Sequence, residues 1–298
     1  SGEGVFEIGE AGDFTGNLVN DGTFVFVRDA DYSFLGDFSG TGLLQKDGEG
    51  VLTFAGLYAF EGTTSVLGGS VSFTGQLAED TELDLQDGTV DLSDVDGGEQ
   101  TIGQLSGQGG QVQLGQTQLT INQTGNTTFS GSITGTGNLV KEGEGDLKLN
   151  GDGTGFTGTG QVGGGTLSVN GNFGNANFVV DPGGTLGGAG TVGDTNVNGG
   201  TLAPGNSIDT LTVNGDISFT AASVYEVEVN AAGEADLLQA TGTATLGGAA
   251  VEVIAESGVY RPLTDYTILT ADGGVSGTFG SVETNLAFLD PSLIYSAD

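Results

Sequence analysis

The stretch from Ser39 to Gly56, SGTGLLQKDGEGVLTFAG, returns 95 residues later as TGTGNLVKEGEGDLKLNG, Thr134 to Gly151, with ten of its eighteen positions identical. With one residue inserted in the second copy, the match runs on: Phe60, Gly62, Thr63, Val66, Gly68, Gly69 and Gly75 face Phe156, Gly158, Thr159, Val162, Gly164, Gly165 and Gly171. Two related copies, at about residues 39–92 and 134–188, constrain the fold more than any other feature of the chain. A chain that repeats itself at this scale is built by stacking small units, none of which buries its apolar face alone.

Within each copy the apolar residues alternate with polar ones over four to six positions and stop at Gly, Asn or Asp, which is the period of a half-buried strand. No helical periodicity of useful length occurs. Strands this short close a core economically when coil lies upon coil, with each inward Leu, Val, Ile or Phe above a similar residue about 4.8 Å away. The expected fold is therefore all-β, a right-handed parallel β-helix. An antiparallel sandwich or barrel is the competing topology, and the repeat length argues against it.

Composition agrees. Glycine supplies 59 of 298 residues without a Gly-X-Y period and with only 4 prolines, so the glycines read as turns and not as collagen. At 36 % hydrophobic and 15 % charged the chain has the apolar surface to fold. Of the glycines, 48 lie at or before residue 200 and 11 after it, where the strands lengthen: Ser223–Val229, Val251–Ile254 and Asp265–Thr270. This divides the chain into a glycine-rich stalk, 1–200, and a C-terminal region, 201–298, of wider coils or a closing hairpin that caps the stack.

Charge removes whole classes of partner. Thirty-nine acids against five bases give a net charge of −34, and Arg28, Lys46, Lys141, Lys148 and Arg261 are dispersed among acids. Nucleic acid and anionic membrane are disfavoured as partners on that ground, and none is expected. The chain has neither a basic-then-apolar leader nor a run of about 18 apolar residues, so no insertion of this segment into a membrane as a helix is expected, and it reads as a mature piece of a longer protein. Absent cysteine suits an exported protein without proving export.

The doubled G-x-G-x-L-x-K-x-G-x-G-x-L element resembles the passenger-associated repeat of bacterial autotransporters. The stretch from Gly199 through TLAPGNSIDTLTVNGD, ATGTATLGG and YTILTADGGVSGTF to LAFLDPSLIYSAD is similar to the segment that precedes the outer-membrane barrel in that family. The resemblance implies type V secretion, a place at the surface of or outside a Gram-negative bacterium, and the protein's own outer-membrane β-barrel translocator as partner. It implies a structural stalk, supporting adhesion, whose C-terminal region is autochaperone-like and promotes vectorial folding. Asp47 and Phe54 depart from the usual form, where Thr or Leu is commoner.

The residues that carry the repeat are Gly40, Gly42, Leu44, Lys46, Gly48, Gly50 and Leu52 in the first copy and Gly135, Gly137, Leu139, Lys141, Gly143, Gly145 and Leu147 in the second. They are expected to be structural. The lysines pose a problem, because regular alternation puts Lys141 on the same side as Leu139. Either a turn or bulge near Gly143 re-aims it toward Glu142, Glu144 or a neighbouring acid, or its stem covers the coil edge while its ammonium reaches water. Both accounts leave the charge solvated or paired at the surface.

No catalytic, cofactor or metal residues are expected. Gly188–Gly193 matches G-x-G-x-x-G, but a strand-and-turn sequence follows it where a dinucleotide site needs a helix. Asp91–Glu99 resembles half of a calcium loop yet puts Leu92 and Gly103 at ligand positions, and reads as an acidic turn. Without His or Cys the usual serine and cysteine hydrolase machinery is absent, and the acids scatter through turns. The alternative to a stalk is a β-helix that binds or cleaves carbohydrate.

Overall fold

A computed structural model of the chain describes residues 5–8, 14–261, 263–287 and 289–296. Positions 262, 288, 297 and 298 of the passenger-like C-terminal stretch lie outside these. The chain forms two compact units, Ser1–Thr159 and Gly160–Asp298. Each is a parallel β-helix. Among the described residues no α-helix occurs, and the single helical element is the short turn Asp96–Gly98.

In the first unit the coil has three sides. Leu43–Asp47 lies on the first, Val51–Phe54 on the second, Tyr58–Phe60 on the third, and Thr63–Val66 returns to the first. Register is parallel and direct: Thr23 pairs with Leu43 and Leu43 with Thr63, a step of 20 residues. In-out alternation turns each register into a column, so Phe24, Leu44, Thr64, Leu83 and Leu105 stack inward on the first side. All five are buried. The early coils add rings: Phe34 and Phe54 lie 5.7 Å apart and Phe54 and Phe73 5.6 Å apart along the second side. Such columns give each short strand the apolar burial that it lacks alone.

Register is also held at the coil edge. An Asx oxygen in one coil accepts a backbone N–H from the next: Asp29 from Glu49 at 3.0 Å, Asp31 from Val51 at 2.9 Å, Asn126 from Asp146 at 3.1 Å. Asn17, Asp37 and Leu57 extend this through three coils. Asp and Asn suit this because their short side chains reach backbone amides from turn positions.

The second unit keeps the stacking, and its coils vary in length and lengthen toward the C-terminus. Gly165–Val169, Gly184–Gly188, Thr201–Pro204, Val224–Val229, Ala250–Ala255 and Ser281–Thr284 lie in succession on one side. Val224–Val229 pairs with Ala250–Ala255 along all six residues. Thr201 lies over Thr185, 16 residues on, whereas Ala250 follows Val224 by 26 and Ser281 follows Ala250 by 31. The excess is carried by connections. One is a tight excursion after Val229, closed by an antiparallel bridge from Val229 to Ala235. Another holds the strand expected at Asp265–Thr270, of which only Leu269 and Thr270 join the ladder, as part of Leu269–Ala271. The preceding residues are pinned from outside instead: the Tyr266 hydroxyl donates to the Asn230 carbonyl at 2.8 Å, and that of Tyr260 to Val229 at 2.8 Å. Phe219, Tyr225 and Phe279 form a ring cluster in these last coils.

Candidate functional site

The two repeat elements form the most distinctive side-chain environments of the first unit, and both are corners. In the first copy Leu43–Asp47 turns through Gly48–Gly50 into Val51–Phe54. In the second, Leu139–Glu142 turns through Gly143–Gly145 into Asp146–Leu149. Gly48 has φ +79° and Gly143 φ +73°, a left-handed backbone that a Cβ disfavours. Gly42, Gly50, Gly137 and Gly145 serve another purpose. Their N–H groups donate to carbonyls of the coil below (Asn20, Arg28, Gly115 and Gln123), an approach so close that a Cβ at any of the four would collide with backbone. Gly40 and Gly135, like Gly48 and Gly143, combine positive φ with the same crowding. Leu44, Leu52, Leu139 and Leu147 point into the core.

The lysines are not in solvent. Lys46 and Lys141 are each 0 % exposed, which overturns the expectation of a solvated or surface-paired charge. Neither strand bulges to re-aim them; alternation holds and both point inward. The Lys46 stem stacks between Phe26 below and Val66 above. Its ammonium donates to the carbonyls of Asp47 at 2.8 Å and Gly48 at 2.7 Å, and to Gly68 of the next coil at 3.3 Å. Lys141, above Ile121, donates to Glu142 at 2.9 Å and Gly143 at 3.0 Å. An ammonium has three donors, and the positive-φ corner turns successive carbonyls toward it, which is how a charge becomes tolerable inside. Burial still lowers the Lys141 pKa to about 8, against the carboxylates of Asp146 and Glu142. It lowers that of Lys46 too, against Asp47, Asp29 and Glu49.

The lysines belong to a wider set of buried polar side chains that plug coil corners, which sequence reasoning missed. Thr81 donates to the Phe60 carbonyl at 2.7 Å, Thr117 to Leu92 at 2.8 Å and Ser223 to Val197 at 2.6 Å. Gln123, one coil below Lys141's corner, donates to the Gly125 carbonyl at 2.9 Å. Each acceptor lies in the coil below or in the same corner. A lone Thr or Gln beside a turn carries no signal that separates this role from a solvated one.

A second feature lies in the second unit. A groove of about 220 Å³ is bounded by Thr185, Gly187 and Ala203 on one strand side, Gly205–Ser207 on another, and Glu226, Glu228 and Asp236 at its end. Asp236 is buried and accepts N–H groups from Asp209 at 3.0 Å and Glu228 at 2.7 Å. Burial pushes its carboxyl up to about 6, with Glu228 and Asp209 adding to the rise and the two accepted N–H groups opposing it. Among the described residues no cluster of His, Cys, Asp or Glu is placed to hold a metal ion. Gly184–Gly188 is strand and turns into Thr191–Val192, so Gly188–Gly193 opens no helix; Asp91 accepts from Ser93 in an ordinary turn.

No protein-family model matches the chain. Over 178 residues it is 35 % identical to an extracellular serine protease of Serratia marcescens, a match covering 56 % of this chain and 17 % of the relative. Over 146 residues it is 35 % identical to the adhesin BmaC autotransporter of Brucella suis biovar 1 (strain 1330), covering 45 % of this chain and 4 % of that protein. The matched part therefore spans less than a fifth of either relative. With its parallel β-helix and this named autotransporter among its relatives, the chain is similar over part of its length to a bacterial autotransporter.

Proposed function

We propose that this chain is a structural stalk of an autotransporter passenger, held outside the cell at the surface of a Gram-negative bacterium, and that residues 201–298 template its folding during export. The stalk reading rests on parallel stacking within each unit, with no metal cluster or His- or Cys-based site among the described residues. A protease or adhesive activity of the whole relatives belongs to far longer chains, of which this sequence matches a small share. The partner this reading requires is the protein's own outer-membrane β-barrel.

One observation carries the templating role: the six-residue pairing of Val224–Val229 with Ala250–Ala255, the longest parallel register in the second unit, backed by the Phe219, Tyr225 and Phe279 rings. Glycine-rich coils lose more backbone entropy on folding and bury fewer side chains, so a glycine-poor segment is the better first coil for others to stack upon. Progressive denaturation with limited proteolysis tests this. A resistant core is expected at about residues 201–298, and a protease-sensitive C-terminal region beside a cooperatively refolding 1–200 ends the idea. The groove beside Asp236, together with an adhesin among the relatives, favours glycan binding as a second reading. Binding on a glycan array, lost in Thr185→Val, would move the function from stalk to ligand contact.

A further inference from the structure

The two lysine corners occupy different edges of the coil. The first leads from the side built of Thr23–Val27, Leu43–Asp47 and Thr63–Val66 to the side built of Tyr32–Phe34, Val51–Phe54 and Ser70–Phe73. The second leads from the side of Glu99–Ile102, Gln118–Asn122 and Leu139–Glu142 to that of Thr127–Phe129 and Asp146–Leu149. In chain order that last side continues the first, through the bridge of Gly107 to Phe129. The element has thus moved round by one edge, while its geometry is unchanged: lysine inward, ammonium on the next two carbonyls, positive φ two residues on, glycine against the coil below. Different neighbours produce the same corner, so the neighbours do not specify it.

We infer that the K-x-G-x-G element is a self-contained bend, formed by its own residues before the coil stacks, and that Lys46 and Lys141 act in folding as clamps on that bend. The shortest ammonium contacts of Lys46 go to carbonyls one and two residues away, and the contact to the next coil is longer, at 3.3 Å. Contacts this local cost little loop-closure entropy and are open to an unstacked chain. The plugs Thr81 and Thr117 differ, since their acceptors lie 21 and 25 residues back and exist only once the coil below is in place. The chain therefore contains an early and a late kind of corner. In the passenger reading this means that coils arrive at the growing stack already bent, but the inference rests on the β-helix itself and holds or fails without export.

Kinetics separates the two kinds. The full chain has no tryptophan, so a Phe129→Trp background gives a reporter in the coil next to Lys141's corner. Lys141→Met removes the donors and keeps the stem. It is expected to slow refolding by about fivefold with less than about twofold change in unfolding, as a contact made before the transition state does. Lys141→Arg is expected to restore most of the refolding rate. Thr117→Val is expected to show the opposite pattern, with faster unfolding and unchanged refolding. Should Lys141→Met fail to refold, Lys141→Gln, which keeps a neutral donor, is read in its place against Thr117→Val. If the lysine variants instead speed unfolding as Thr117→Val does, the clamp forms late and the inference falls.

Discussion

The outward columns of the two units handle charge in opposite ways. On the first side of the first unit Glu82 lies between Thr63 and Gln104, each of which donates to it at 2.9 Å, and Asp84 lies between Ser65 and Ser106, which donate at 3.4 and 3.3 Å. Each of these two acids has a neutral donor above and below. In the second unit Glu226, Glu252 and Glu283 stand directly over one another. Burial and then the charges of Glu252 and Glu228 raise the pKa of Glu226. Parallel stacking brings equivalent residues within one coil spacing whatever their chemistry, so a chain of net charge −34 must interleave its acids or bear their repulsion. The first unit does the former and the last coils do the latter.

If the last coils carry that repulsion, something inside must offset it, and the rings are the candidate. Tyr225→Ala is expected to cost about 3–5 kcal/mol, the usual loss for a buried aromatic, and to free the last coils first. Phe54→Ala in the first unit should cost a similar amount but loosen no C-terminal coil; protection of amide hydrogens from exchange would tell the two apart. Uniform loss across both units would dissolve the contrast.

A smaller effect comes from pH. Asp236 at about 6 and the raised Glu226 both bind protons more tightly folded than unfolded. Their contribution is therefore fully present below the ordinary carboxylate range near 4 and is lost as pH rises through about 6. Urea midpoints of the last coils should be higher at pH 5 than at 7.5, and Asp236→Asn should flatten part of that slope. The smallest expected effect sharpens the comparison most directly: Glu252→Gln, which relieves repulsion on two sides, should stabilise by about 0.5 kcal/mol at neutral pH. Glu82→Gln should bring no such gain, and equal gains at both positions would show that interleaving does nothing.

Much of this architecture was legible in the residues, and the limits follow a physical line. Strand period and glycine breaks are local, so the parallel β-helix and the inward Leu44, Leu52, Leu139 and Leu147 could be read from the chain. Which edge a corner occupies depends on counting coils whose lengths vary, so nothing in the 95-residue offset disclosed that the second copy had moved round. Lys46 and Lys141 failed differently. Alternation pointed them inward, and the cost of burying a charge argued them back out; what settles the matter is a pair of carbonyls turned inward by Gly48 and Gly143, a feature of backbone angles and not of residue types. Asp236 was missed because its partners come from separate parts of the chain, Asp209 in a connection and Glu228 in the strand Val224–Val229.

The spread of coil lengths, from 16 residues between Thr185 and Thr201 to 31 between Ala250 and Ser281, has a consequence for how such a chain changes over time. Height along the helix axis is counted in coils, each adding about 4.8 Å, and not in residues. Sequence inserted at a connection, as in the excursion after Val229, widens one level without moving any level above it. Reach and decoration are thus separate quantities here: duplicating a coil alters how far the protein extends, while lengthening a connection alters only what it presents at a fixed height.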